Sequence, residues 1–206
     1  MLSNTFFLAP FLPPIQLGLK PKIEKGEFEA LLKTQLSEKD FTQLKLLKLR
    51  YEIEKVRIHD LEIEEKPDFV NEWLEKYETK ELRKSFFHEL LEDFYEFVEL
   101  EGSPFIKAFF REEREISEQF LYLRRGEKSH STPDSFIKLY EKGPMFIEKG
   151  LMQYKFNKID EWIGLKVFTS DAILAYAAKY YLNEETLKWD HEKGEMLLDI
   201  MEKGEL

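Results

Sequence analysis

Cysteine is entirely missing from this chain of 206 residues. Disulfides, thiolate zinc sites, cysteine nucleophiles and redox relays are therefore excluded, because each of them needs at least one cysteine sulfur. A chain without thiols is compatible with a reducing compartment. We therefore expect a cytoplasmic protein.

An excess of positive charge is also missing. The 31 Lys and Arg residues are outnumbered by 41 Asp and Glu residues, which gives a formal net charge of -10 at pH 7. Such a chain repels phosphate backbones, and its basic residues are interleaved with glutamates instead of forming a patch. Nucleic acid is therefore not an expected partner.

The chain has no long uninterrupted apolar run. The most apolar stretch near the start, MLSNTFFLAPFLPP, lacks a basic n-region and is broken by three prolines. It is shorter than the ~20 residues that a spanning helix requires. We interpret it as part of the mature, folded protein, without direct membrane insertion. Its Phe6, Phe7 and Phe11 are expected either to be buried or to form a contact patch.

Motifs for catalysis or cofactor binding are missing too. The Glu-x-x-His spacing of di-iron bundles occurs only at Glu127 and His130, within a loop-like stretch. No Gly-x-Gly-x-x-Gly or Walker-type sequence is present, and no serine lies in a nucleophile-elbow context. We predict no catalytic, cofactor-binding or metal-binding residue, no cofactor and no enzyme activity.

What the chain does contain is a segment, Gly164 to Trp189, whose centre is apolar on nearly every side of a helical wheel. From Ala172 to Leu182 only Lys179 is charged. A helix of this composition cannot rest on a surface by one stripe and must be enclosed by its neighbours. We predict the central helix of a bundle.

Helical patterns extend over most of the remaining chain. Ser37 begins a leucine-rich helix, Gly102 ends a long amphipathic one, and Ser103-Pro104 begins the next. We predict an all-α fold, an irregular helical bundle divided into two lobes. The predicted lobes comprise residues 1–126, with an extended N-terminal arm, and residues 127–206, because the loop-like stretch GEKSHSTP begins at residue 126.

Two local patterns carry further predictions. The tripeptide Glu-Lys-Gly recurs at five unequal spacings, and we interpret most copies as helix stops, with Gly194 as a candidate exception. Weak alternation in Arg57 to Glu64 and Tyr154 to Ile159 leaves room for an added hairpin. The final helices are expected to divide near Asp190 or to merge with a kink.

Three segments resemble one known family. ILAYAAK (Ile173 to Lys179), followed by a polar stretch and Leu187, is similar to a recurrent helix of the C/d subunit of V-type and A-type ATPases. FFLAPFLP (Phe6 to Pro13) and LLKTQLSEKDF (Leu31 to Phe41) look like the start of a bacterial family of C-like proteins encoded with V-type ATPase subunits. The resemblance implies a helical module of the C/d type.

The resemblance also implies a function. It suggests a non-catalytic stalk or accessory subunit that links the central rotor shaft to the proteolipid ring and couples ATP chemistry to ion transport. The expected partners are these other ATPase subunits, and the protein would be cytoplasmic or peripheral at the membrane through the complex. The predicted partner-binding residues are aromatic: Phe6, Phe7, Phe11, Tyr180 and Tyr181.

Two alternatives stay open. In one, the chain is a free cytosolic helical interaction module whose Phe6, Phe7 and Phe11 patch docks another protein. In the other, it is a small enzyme or lipid carrier with an apolar cavity among its phenylalanines.

Overall fold

The computed structural model describes residues 12–56, 70–71, 84–127, 132–164 and 169–202. This part of the chain consists of helices and connecting segments without a β-strand, so the predicted all-α class is confirmed. The helices are, in chain order, α1 (Lys25–Gln35), α2 (Glu38–Val56), α3 (Lys84–Glu101), α4 (Pro104–Arg124), α5 (Asp134–Lys142), α6 (Pro144–Ile163) and α7 (Ser170–Glu202).

The weak alternation at Tyr154 to Ile159, which left room for a hairpin, belongs to a helix, because these residues lie within α6. Phe156 and Ile159 are both buried and stand three positions apart, which is the spacing of one helix face. Alternating apolar and polar residues over only six positions fit a short strand as well as one face of a helix. The sequence alone could not decide between the two. The other stretch of weak alternation, Arg57 to Glu64, lies outside the described residues.

The chain divides into two compact units. We call residues 1–37 together with 116–206 the discontinuous unit, and residues 38–115 the inserted unit. The chain passes from one unit to the other between Ser37 and Glu38, and again within α4. The predicted lobes, 1–126 and 127–206, stay a prediction.

Helix α7 is the central helix of the discontinuous unit, as predicted. Along its first half, residues on nearly all sides are buried: Ile173, Leu174, Ala175, Ala177, Ala178, Tyr180, Tyr181, Leu182 and Asn183. Its charged residue Lys179 forms an ion pair with Asp160 of α6 and lies 4.7 Å from the ring centroid of Phe156. The helix continues as a single element to Glu202, so the two predicted final helices are merged.

Helices α5 and α6 pack closely in the same unit. The ring centroid of Phe136 lies 5.4 Å from that of Phe120 and 5.0 Å from that of Tyr154. Gly150 faces Leu139 so closely that an added Cβ would collide with both of its methyl groups. A glycine in the middle of α6 therefore allows this close approach.

The inserted unit is held by apolar contacts between its helices and by the buried side chain of Gln43. The rings of Phe94 and Phe110 meet edge to face at 4.9 Å. The side chain of Gln43 donates to the carbonyl of Glu101 at 3.0 Å and accepts from the amide of Ser103 at 2.6 Å. Buried polar groups need such partners, and here one glutamine satisfies two backbone groups of the turn between α3 and α4.

The Glu-Lys-Gly copies have different structural roles. Gly143 ends α5 with a φ of 102°, so the predicted stop is confirmed there. It is wrong for Gly26, which lies in the first turn of α1, and for Gly150, which lies inside α6. Gly194, the candidate exception, lies within α7. The copy ending at Gly204 extends beyond the described residues.

Candidate functional site

A non-helical segment before α1 lies along the central helix of the discontinuous unit and is hydrogen-bonded to it. We call this segment, residues 12–24, the strap. The amide of Leu19 donates to the carbonyl of Gln16 at 3.1 Å and closes a turn, in which Gly18 has a φ of 78°. Such a φ favours glycine because other L-residues adopt it only with strain. The turn therefore depends on Gly18.

Three polar side chains of α7 face the strap. Tyr176, Tyr180 and Asn183 are spaced at i, i+4 and i+7, which places them on one face of the helix. The hydroxyl of Tyr176 donates to the carbonyl of Pro13 at 2.6 Å, and that of Tyr180 donates to the carbonyl of Ile23 at 3.1 Å. Both hydrogen bonds reach backbone atoms of the strap.

Both polar atoms of the Asn183 side-chain amide form hydrogen bonds with the turn of the strap. Its Oδ1 accepts from the amide of Gly18 at 2.7 Å, and its Nδ2 donates to the carbonyl of Leu19 at 2.8 Å. The side chain is fully buried. An unsatisfied buried amide is costly, so this pairing with the strap is what allows an asparagine in the core.

The order of these contacts gives the path of the strap. It runs beside α7 from Tyr176 to Asn183, turns at Gly18, and returns to Tyr180, where α1 follows. In α1 the ring of Phe28 stacks on Tyr180 at 4.5 Å with an interplanar angle of 26°. The strap and α1 thus form one continuous cover over this face of α7.

Burial changes the acid–base chemistry of the tyrosines on α7. It raises the pKa of the Tyr176 phenol from 10.0 to about 12. It does the same for Tyr180, where the negative charge of Glu184 adds to the rise and the pKa also reaches about 12. Burial likewise raises the pKa of Tyr181 well above its ordinary value. All three phenols therefore lose their protons less readily than an exposed tyrosine does.

The structure places two of the five predicted partner-binding residues. Tyr180 is 1% exposed and Tyr181 is 7% exposed, so most of both rings is used for packing within the discontinuous unit. Phe6, Phe7 and Phe11 lie outside the described residues. Partner binding by all five stays a prediction, and a partner could reach only the small exposed part of the two tyrosines.

Tyr176 and Asn183 were not among the site residues predicted from the sequence. The signal was their i, i+4, i+7 spacing with Tyr180, which puts three hydrogen-bonding groups on one face of an otherwise apolar helix. Sequence spacing can show such a face. It cannot show that the face meets the carbonyls and an amide of a segment about 160 positions away.

The described residues contain neither a cluster suited to a metal ion nor a membrane-spanning helix. Within them, no group of three or more His, Asp or Glu residues is arranged to hold a metal ion. Among the described helices, none combines the length and apolar character needed to cross a lipid bilayer.

Comparison with known proteins finds relatives without an assigned activity. Residues 127–205 are similar to a family described as "Protein of unknown function (DUF2764)". An uncharacterized protein of Chlamydia trachomatis serovar D is 22% identical over 98% of this chain and 99% of its own length. An uncharacterized protein of Chlamydia muridarum is 25% identical over 66% of this chain and 64% of its own length. No solved structure matches the chain.

These matches overturn the resemblance to the C/d subunits of V-type and A-type ATPases. They lead to proteins of unknown function, and nothing in them indicates the C/d family or ion transport. The ILAYAAK sequence has a local explanation instead, because Ile173 to Ala178 lie on an enclosed helix. Enclosed helices in unrelated proteins converge on small and apolar residues, since close packing selects for both.

Proposed function

We propose that this protein is a non-catalytic helical interaction module that presents an aromatic N-terminal segment to a partner protein. The observation that carries the proposal is the hydrogen bond from the hydroxyl of Tyr176 to the carbonyl of Pro13. This bond fixes the backbone two residues after Phe11. The segment that contains Phe6, Phe7 and Phe11 therefore starts from a defined point on the discontinuous unit.

A fixed starting point favours binding for a physical reason. Ordering a chain segment costs conformational entropy, and a segment that is already anchored at one end loses less on binding. Aromatic residues are also the side chains that most often dominate binding energy at protein interfaces. An anchored stretch with three phenylalanines combines both properties.

The buried polar side chains of the described residues support a structural role for this body. Asn183 and Gln43 hold backbone groups of their own units. Arg50 pairs with Glu113 at 3.0 Å, and the hydroxyl of Thr132 donates to Gln119. In each case the polar group joins two segments of its own unit, and the contacts of Asn183 and Thr132 stiffen the unit that would carry the docking segment.

We further propose that the protein works in the cytoplasm. The absence of cysteine supports this, because a chain without disulfides gains nothing from an oxidising compartment.

The test compares the full chain with a variant in which Phe6, Phe7 and Phe11 are replaced by serine. A matched control replaces Leu100, which is 77% exposed, with serine. All three proteins are used as baits in a lysate of the native organism, with quantitative mass spectrometry of the bound proteins, and circular dichroism reports whether each bait is folded. We expect a partner that the wild type and the Leu100 variant retain and the triple variant loses.

A purified candidate partner then gives a direct measurement. Its Kd should rise for the triple variant and, to a smaller extent, for Tyr176→Phe, which keeps the ring and loses only the hydrogen bond to Pro13. Unfolding of the triple variant would show that the phenylalanines are core residues. That result, or a folded triple variant that binds as tightly as the wild type, contradicts the proposal.

A further inference from the structure

The strap lies along α7 without a single buried residue. Partly buried and exposed residues alternate from Pro13 to Leu17 and again from Lys20 to Glu24, which is typical of an extended chain with one face on a surface. Helix α1, in contrast, buries Phe28 and Leu32 completely. Segments with few buried apolar groups are the ones that open at the lowest free energy. We therefore expect the strap to separate more readily than α1.

The strap is held on α7 by four hydrogen bonds from three side chains of that helix. Its other described hydrogen bonds join residues close in sequence. The carbonyl of Gln16 accepts from the amide of Leu19, and the carbonyl of Glu24 accepts from the amide of Phe28. These local bonds do not attach the strap to α7, so four hydrogen bonds and a set of half-buried side chains hold it closed.

Separation of the strap would leave the packing of α1 on α7 in place. The ring centroid of Phe28 lies 5.4 Å from that of Tyr176 and 4.5 Å from that of Tyr180, and both contacts belong to α1. Opening uncovers the two tyrosine hydroxyls and the side-chain amide of Asn183. Water can then form hydrogen bonds with these groups, so opening leaves none of them unsatisfied.

The composition of the strap favours return to the closed conformation. Three of its residues are prolines: Pro13, Pro14 and Pro21. Proline fixes φ near -65°, so a separated strap with three prolines has fewer conformations and loses less entropy when it closes again. The closed state therefore has a smaller entropic cost than an ordinary loop of this length would have.

We propose that the strap is a latch that separates from α7 as one piece while α1 stays packed, and that its closed state controls the docking segment. The control rests on the proposed function, because it requires Phe6, Phe7 and Phe11 to be available to a partner. With the latch closed, the segment starts from a fixed point. With the latch open, this point moves with residues 12–24, so docking costs more entropy and the affinity for the partner falls.

Amide hydrogen exchange of the full chain, followed by NMR, tests the latch without a partner. The amide of Gly18 must break its bond to Asn183 to exchange, whereas Ala177 and Ala178 lie within α7 and report larger opening. Relative to intrinsic rates, exchange at Gly18 should be about tenfold faster or more, and nearly independent of urea at low concentration, since little surface is exposed. Equal rates or an equal urea dependence at Gly18 and the alanines would overturn the latch.

Two conservative substitutions test whether the strap moves as one piece. Tyr176→Phe and Tyr180→Phe each remove one hydrogen bond to the strap, on opposite sides of Gly18 in the sequence. If all contacts break together, each variant should speed exchange at Gly18 by about two- to tenfold. Tyr122→Phe, at an exposed position of α4, is the matched control and should have no effect. Unchanged exchange at Gly18 in both folded variants means that parts of the strap separate independently, which contradicts the proposal.

A third variant weakens the latch from within the strap. Gly18→Ala places alanine at a φ of 78° and should raise the open population by about five- to thirtyfold. Because the chain has no cysteine, spin labels can be attached to cysteines placed at the exposed positions Lys20 and Glu161. Their distance distribution should gain a second, broader population in Gly18→Ala. A distribution identical to that of the wild type would overturn the latch.

Binding measurements separate the latch from the docking function. A partner that binds through the phenylalanines should bind the folded Gly18→Ala variant more weakly than the wild type, because Gly18→Ala leaves these phenylalanines unchanged. Equal affinity, together with a latch confirmed by exchange, contradicts control of docking and leaves the docking function standing. A triple phenylalanine variant that binds normally contradicts the docking function, whereas the exchange of Gly18 still decides whether the strap opens as one piece.

Discussion

Gly18 and Asn183 are 165 positions apart in the chain, yet the amide of Gly18 donates to Oδ1 of Asn183 at 2.7 Å. The glycine provides the positive φ that turns the strap, and the asparagine provides a buried acceptor at that turn. The backbone N–H at this turn needs an acceptor, and the buried side-chain amide of Asn183 needs a donor. The hydrogen bond between Gly18 and Asn183 meets both needs.

Replacing Asn183 should destabilise the discontinuous unit. Asn183→Ala removes an amide that serves two backbone groups of the strap, and we expect the free energy of unfolding to fall by about 1–3 kcal/mol. Urea denaturation followed by circular dichroism measures the change. The matched control is Asn157→Ala on the exposed side of α6, expected to stay within about 0.5 kcal/mol of wild type. Equal effects of the two variants would show that the pairing with Gly18 is unimportant.

Two glycines should respond to alanine with opposite signs. A Cβ would meet nothing within 4 Å at either Gly18 or Gly26, so only the backbone differs. Gly18→Ala places alanine at a φ of 78° and should cost about 1–2 kcal/mol, whereas Gly26→Ala lies in α1 and should stabilise by about 0.4–1 kcal/mol. Thermal unfolding of both variants tests this, and a shift of the same sign in both would refute the assigned backbone roles.

The close approach of Gly150 to Leu139 predicts a coupled pair. Gly150→Ala should destabilise by about 1–3 kcal/mol, because the new methyl group collides with the leucine side chain. In a Leu139→Ala background the same change should become stabilising by up to about 1 kcal/mol, since alanine is the better helix former. A double-mutant cycle measured by urea denaturation would reveal the coupling, and additive effects would argue against the contact.

The pair of Arg50 and Glu113 should matter far more than that of Arg111 and Glu99. The first pair is buried, with side chains 8% and 11% exposed, and the second lies at the surface with 59% and 43% exposed. Glu113→Gln leaves a buried guanidinium without its counter-charge and should cost about 3–5 kcal/mol. Glu99→Gln should cost about 0–1 kcal/mol. Chemical denaturation measures the loss in free energy of unfolding for each variant. Similar losses in the two variants would contradict the expected effect of burial.

Alkaline pH should weaken the packing of α7. Tyr176 and Tyr180 have a pKa of about 12 when folded and 10.0 as the ordinary value, so the folded state holds both protons more tightly. Their contribution to stability is complete below pH 10 and is lost as the pH rises from 10 towards 12. The urea midpoint should fall over this range, and less steeply for Tyr176→Phe. An identical pH slope in the variant would exclude a role for Tyr176.

The glycines show where sequence reasoning reached its limit. Gly143, Gly150 and Gly26 share the same preceding Glu-Lys pair, and only Gly143 ends a helix. At Gly150 the deciding factor is the neighbouring side chain of Leu139, a contact that no tripeptide encodes. Inside a helix glycine is less favourable than alanine by about 1 kcal/mol, which is why it often lies at a helix end. Packing between helices can override a preference of this size.

The sequence alone determined the helical class and the enclosed position of α7. Both follow from the periodicity of apolar residues, which neighbouring positions set. Only the tertiary structure decided that the strap covers α7 and that Asn183 holds Gly18. These contacts join segments about 160 positions apart, and their specificity depends on backbone groups that are the same in every residue. Side-chain patterns therefore predicted the buried helix, but not the segment that binds to it.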